Sequence, residues 1–455
     1  MVNDLSPRVE VARWGVLSQG DSVPTQFAHV RSRADILILT RSELNASKGN
    51  VHLQRAILRS LQKPLSVLLT NLSTQLLPLL SSPLFLNPPA PTVANPNLNA
   101  TQTHALAVAN FAGELLDVLD ELDLGRVHDA RGDGLNNLRD GLVSLIGRVV
   151  NPLVAGLKNE ITPILQALEE PAQPTSITSI VAKTPGAKFV TQQHPSIMTL
   201  QALMPAFSKA LTRYTVSSCC QTTLATLLIS IVWRAIISLA YRPTPPRSRA
   251  NSATSSVAAS AATRKRLGTS TTPPTTPPAS RFTMKLPSSR PPSPISVVTP
   301  TTAADARVVY DLLSTLPKPS PSNDVNKVAR EAVDEAFEAL AALGALLAAI
   351  ENQEGPDVRE DFDLELLTDG LPVLIALPVL LRWAGHGEPH VIPTMIGIAE
   401  SEYRESCLSG FGRAEECASV VIQRMLDVLG SEESTDDARS WILVQFLESN
   451  KDGSD

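Results

Sequence analysis

Residues 242–302 hold twelve prolines, nine basic residues and no acidic one, set among Ser, Thr and Ala with almost no large apolar side chain. Ordering a backbone costs roughly 1–2 kcal/mol per residue, and a segment of this composition cannot offset that by burial. It is expected to stay disordered and to divide the chain. The expected order is therefore a mostly irregular segment at 1–24, an N-terminal helical bundle at 25–241, the basic linker at 242–302, an acidic C-terminal helical bundle at 303–449 and a disordered tail at 450–455.

Charge follows the same division. The chain of 455 residues has a formal net charge of −6. Residues 1–241 carry +3 and the linker +9, whereas residues 303–455 carry 29 acidic and 11 basic side chains, a balance of −18. An acidic last third and an aromatic content of 4 % argue against a nucleic-acid-binding module. Attraction between the basic linker and the acidic third would be screened by salt.

Apolar residues recur by threes and fours wherever the chain is not Pro-rich, which is the helical period. Leu53, Ile57, Leu61, Leu65, Leu68, Leu72 and Leu76 form one stripe, in which Pro64 and Pro78 are expected to bend or split the helix. Residues 83–100 read as a loop. A second helix spans about 104–124, with Gly125 as its stop. A third runs from a cap at Asp133 along Leu135, Leu138, Leu142, Leu145, Val149, Leu153, Leu157, Ile161, Ile164 and Leu168. Helices are also expected at 196–214, at about 219–241, and after a cap at Asn323 or Asp324 along Val325, Val328, Ala332, Val333, Ala336, Leu340, Leu343, Leu347 and Ile350. Others fit 358–384, 389–409, 412–429 and 434–449. No stretch alternates with period two and no hairpin signal joins β-branched runs. The fold class is all-α.

The run Thr222–Tyr241 is the most apolar and long enough to span a bilayer. Its nine Leu, Ile and Val residues favour insertion by about −4 to −5 kcal/mol. Arg234 opposes by about +2.5 to +3.5 kcal/mol, and five Ser or Thr residues oppose further. The balance is near zero. Arg234 is thus the residue on which a buried core helix and a membrane segment differ. Cys219 and Cys220, at the head of this run, are candidate palmitoylation sites or small buried residues.

Thr272, Thr276, Ser293 and Thr299 each precede a proline, and Ser252 follows Arg249 in a basophilic context. A phosphate at any of these five would subtract about 1.5–2 charges from the linker. Two acidic clusters merit a metal test: Asp117, Asp120, Glu121 and Asp123, then Asn323, Asp324 and Glu331. Together they are weakly similar to the paired metal motifs of class I terpene synthases. Asp117 is followed by Val118 instead of a second Asp, however, and Lys327 stands where a hydroxyl residue belongs. Solvated helix faces and helix N-terminal charge account for both clusters. His386 and His390 flank a Gly- and Pro-containing turn, and Arg131-Gly132-Asp133 reads as a helix-capping turn.

No Gly-rich phosphate loop or nucleophile elbow is present. Neither Cys-x-x-Cys nor zinc spacing links the four cysteines at 219, 220, 407 and 417. No secretory signal pattern opens the chain. These patterns lead to the expectation of an intracellular, cytoplasmic, non-enzymatic scaffold or adaptor without cofactor, acting through an unidentified protein partner and a phosphorylatable linker. Membrane association through 219–241 is the alternative, and a metal-dependent all-α enzyme a distant third.

Overall fold

The computed structural model describes residues 42, 45–46, 50–86, 91–92, 95, 97–121, 135–171, 193–243, 301–353, 363–386, 391–430 and 438–451. Among the described residues there is no strand, and the fold is all-α. In chain order the helices of the first half are α1 (Val51–Leu80), α2 (Pro83–Leu86), α3 (Ala100–Glu121), α4 (Asn136–Gln166), α5 (Pro195–Tyr214) and α6 (Gln221–Ala240). Those of the second half are α7 (Thr302–Ser314), α8 (Asp324–Glu351), α9 (Leu364–Thr368), α10 (Val373–Trp383), α11 (Val391–Met395), α12 (Glu400–Ser406), α13 (Phe411–Leu429) and α14 (Ala438–Lys451). Single 3₁₀ turns, Ala167–Glu169 and Ser218–Cys220, follow α4 and precede α6.

The leucine stripes become the buried faces. Leu61, Leu65, Leu68, Leu72 and Leu76 of α1 are all buried, whereas Leu53 is 49 % exposed, so this stripe reaches the core only from its third turn. Helix α1 runs unbroken through Pro64 and Pro78, and α4 through Pro152 and Pro163. Each of these prolines lies on an exposed or half-buried side, where the carbonyl it leaves unpaired stays near water while the leucines hold the helix on its other face. The expected loop at 83–100 contains the short α2, whose Phe85 is buried. The expected helix at 358–384 divides into α9 and α10, where Gly370 takes φ +39° and Pro372 follows. Gly397, at φ +76°, ends α11 and divides the expected helix at 389–409 in the same way.

Helix α6 lies at the centre. It packs on α4 on one side and on α8 on another, with α7 and α10 also against it. The α6–α8 pairing is the most extensive between any two helices of the fold. Its last carbonyl, Ala240 O, and Arg242 O two residues beyond it both accept hydrogen bonds from the Arg382 guanidinium of α10, a cationic cap suited to the negative end of a helix.

The two helical regions on either side of the linker form one compact unit. The expectation of a separate bundle on each side gives way to a shared core, because α6 is apolar on more faces than its own half can cover. Polar contacts pin the halves together as well. Trp233 Nε1 donates to Leu408 O at 2.8 Å, Tyr241 Oη to Tyr403 Oη at 3.2 Å, and Ser320 N to Gln221 Oε1 at 3.0 Å. Arg404 makes a two-pronged pair with Glu169.

Arg242, expected to begin the linker, belongs to this core. It is 5 % exposed, donates through Nε to Leu168 O at 2.6 Å and pairs through Nη1 with Asp305 Oδ2 at 2.5 Å. Thr301 caps α7 by accepting from Ala304 N, so the folded body resumes there. The buried pair therefore joins the last residues before the linker to the first helix after it. At the other end of the chain α14 continues to Lys451, two residues into the expected tail. Beside the buried pair, His194 caps α5. Its Nδ1 accepts from Ser196 N at 3.2 Å, so its Nε2 carries the proton and donates to Glu170 O at 3.1 Å. Burial, aided by the Arg242 charge, lowers the His194 pKa and keeps the ring neutral.

Candidate docking groove

Helix α8 is the longest of the second half, and its apolar stripe is longer than the core needs. Val333, Ala336, Phe337, Leu340, Leu343 and Leu347 are buried. Val325 and Val328, which the sequence assigns to the same buried face, are 64 % and 63 % exposed. They step by three and four into Ala332, Ala336 and Ala339, so one continuous apolar line runs about 21 Å along α8. The C-terminal part of this line forms one wall of a groove of about 870 Å³.

Phe411 and Ala418 of α13, Ile229 of α6 and the turn Gly370–Val373 line it as well, together with the polar Ser419 and Asn450. Phe411 is held in place by Trp233, whose ring centroid lies 4.4 Å away and whose indole is itself fixed to Leu408 O. The apolar wall is thus anchored to the central helix rather than free to rotate into the gap.

The rim is acidic. Glu335 of α8, Glu415 and Glu416 of α13 and Asp369 all line the groove, and among the described residues no Lys or Arg does. Glu416 is paired with Arg413 at 2.5 Å. Glu335, Asp369 and Glu415 are exposed and form no ion pair among the described residues. Nearby cations are engaged elsewhere: Lys318 and Arg330 both bind Asp334, on the side of α8 away from the apolar line. Glu331, Glu335 and Glu338, all exposed, extend the acidic edge along α8 beside that line. The arrangement offers a trough lined by both apolar and polar groups, bordered by carboxylates of which Glu335, Asp369 and Glu415 form no ion pair among the described residues.

The residues singled out by sequence are distributed differently. Arg234 is half-buried and has no ion pair among the described residues. It shares its side of α6 with Thr222, Thr223, Thr226, Ile229 and Ser230, all exposed or half-buried, within an arc of about 140°. Thr222, Thr223, Thr226, Ser230 and Arg234, which weaken membrane insertion, therefore fall where this side of α6 stays exposed or half-buried, up to about Arg234; farther along the same side Ile237 and Ala240 are buried. Ser238 is the exception, buried with its hydroxyl unpaired.

Cys219 is half-buried and Cys220 buried, in the 3₁₀ turn ahead of α6. The Cys220 thiol hydrogen-bonds its neighbour, and this contact, opposed by burial and helped by Ser217 at 3.3 Å, brings Cys219 down to about 7 while Cys220 is pushed up. The structure also brings Cys417 against Cys407, ten residues apart. All four cysteines are free.

Asp117 accepts from Ser218 Oγ at 2.6 Å, and burial pushes its carboxyl up against that bond. Asp120 pairs with Arg139 at 2.5 Å. Asn323 caps α8, accepting from Asn326 N, and Glu331 lies 3.9 Å from Lys327. Among the described residues no group of three or more His, Cys, Asp or Glu side chains is arranged to hold a metal ion. His386 meets Ser440 Oγ at 3.0 Å. Ser252, Thr272, Thr276, Ser293 and Thr299, together with Asp123, His390 and Arg131–Asp133, lie outside the described residues.

Compared with protein-family profiles, curated proteins and solved structures, the chain matches none of the three. The groove and its surroundings are therefore interpreted by their chemistry alone.

Proposed function

We propose that the chain is a non-enzymatic helical adaptor that captures a protein partner in the groove between α8 and α13. One observation carries this reading: the apolar line of α8 continues past the core to the exposed Val328 and Val325, and its other residues, Ala332, Ala336 and Ala339, line a concave groove. Apolar surface that continues into a groove marks an interaction site, and a straight line of helical anchors suits a helix-in-groove mode. The engagement of Asp117 with Ser218 and of Asp120 with Arg139 supports the same reading over a metal-dependent enzyme. Four free cysteines agree with an intracellular, reducing setting.

Display selection of helical peptides on the full-length protein tests the proposal. Ala332 is half-buried and lines the trough, so Ala332→Trp fills it from the side. Binders selected on the wild-type protein should lose affinity for the Trp variant. Binders that ignore the substitution and map to other faces would refute the groove.

Membrane attachment through 219–241 is the second reading. Residues 218–240 and 136–169 form two helices long and apolar enough to cross a membrane. In the first, 72 % of the most apolar stretch is already buried against other helices, which supports a core role for α6. Recovery of the full-length protein in a carbonate-resistant membrane pellet would reverse that preference.

A further inference from the structure

The occupant of the groove can be specified by its charge. Three lining carboxylates, Glu335 of α8, Glu415 of α13 and Asp369, are exposed and have no cationic partner among the described residues, although Lys318, Lys327, Arg330 and Arg413 all lie on or near the same helices. Lys318 and Arg330 turn to Asp334, Lys327 lies near Glu331 and Arg413 pairs with Glu416, so Glu416 and Glu331 have a cation of their own. Glu335 on α8 and Glu415 on α13 are left unbalanced on both sides of the trough, with the exposed Glu338 extending the acidic edge along α8.

We infer that the groove, read as a protein-docking site, selects a basic amphipathic helix of about four turns: small or medium apolar anchors on one face, flanked on both sides by Lys or Arg. The geometry gives the length. The apolar line from Val325 to Ala339 covers about 21 Å, which a helix of 14–16 residues matches turn for turn. Chemistry gives the flanks. A helix laid along the line places its anchors against Val325, Val328 and Ala332, with Ile229 and Phe411 beneath its far end. Its side positions then face Glu335 on one edge and Glu415 and Glu416 on the other. Acidic or neutral flanks would leave these carboxylates facing like charge or nothing. Opposed potentials across an interface set partner choice and association rate more than total affinity. The rim is therefore a selectivity device added to an apolar site.

The test uses three synthetic 16-residue helices that share one apolar face and differ only in flanking Lys/Arg, Gln or Glu. Each is titrated against the full-length protein, against Glu335→Lys/Glu415→Lys and against Ala332→Trp. The basic helix should bind the wild-type protein at least about tenfold more tightly than the Gln helix, and the preference should fall steeply with salt. The double Lys variant should cancel or invert the order. If all three helices bind alike and Ala332→Trp removes all three, the docking groove stands and the charge inference fails. If none binds the wild-type protein, the groove reading itself fails. If the protein self-associates and Ala332→Trp abolishes that, a second copy is the occupant and the basic-helix proposal is overturned.

Discussion

The Arg242–Asp305 pair makes a quantitative demand on the fold. Both side chains are almost fully buried, at 5 % and 3 % exposure, and their charged atoms are 2.5 Å apart. At an effective dielectric of about 20, unit charges 4 Å apart attract by about 4 kcal/mol, and this attraction is set against the cost of removing both from water. Asp305→Ala leaves the guanidinium buried with Leu168 O as a neutral partner. Stranding a buried charge in this way costs about 3–5 kcal/mol. Arg242→Met combined with Asp305→Leu removes both charges and keeps the volume. It leaves the Leu168 carbonyl unpaired, a loss of about 1–3 kcal/mol. The double variant should therefore be more stable than Asp305→Ala alone. Urea titration followed by the fluorescence of the buried Trp233 and Trp383 measures both. A shift below about 1 kcal/mol for Asp305→Ala, or a double variant no better than the single, would refute the buried clamp.

Three further outcomes are expected. A protease site engineered after Gly268 cuts the chain between the halves, and fragments 1–268 and 269–455 should co-elute under native conditions because α6 and α8 share a core; separation without denaturant would restore two independent bundles. His194 is neutral when folded, with its pKa lowered by burial, so the unfolded chain binds the proton more readily. Stability is complete above the ordinary histidine value of about 6.5 and declines as pH falls below it. Urea midpoints at pH 7.5 and 5.5 should differ more for the wild type than for His194→Asn, which keeps a capping side chain. Finally, alkylation of Cys219 should rise with a midpoint near pH 7, and Cys220→Ala should move that midpoint upward. An unchanged profile would show that the neighbouring thiol does not stabilise the thiolate.

The helices were legible because their stripes are long and rich in leucine. From Leu135 to Leu168 the sequence stripe agrees with the buried face of α4 at every position except Ile164, which is half-buried. Errors fell where one residue carries two opposite signals. Pro64 and Pro78 are breakers locally, yet of the expected bend or split the split does not occur, because packing on the opposite face keeps α1 continuous. Arg242 looks like linker by composition and is core by virtue of Asp305, 63 residues later. The groove was half visible. Val325 and Val328 stand out in sequence as apolar, but apolarity alone cannot distinguish a face that a neighbour covers from one left open. Glu335, Asp369 and Glu415 were only part of a regional charge, because nothing local says that they border one trough.

Sequence alone determined that the chain is helical, where its long helices lie, and that an acidic last third follows a basic Pro-rich segment. Those properties depend on spacing within a few turns and on composition, which short-range physics can read. Only the tertiary structure decided that the two helical regions share a core, that most polar residues of α6 fall where its first turns stay exposed or half-buried, and that one helix face continues past the core into an acid-rimmed groove. Each of these depends on which distant helix covers which face. That is a matter of long-range packing, and no local pattern encodes it.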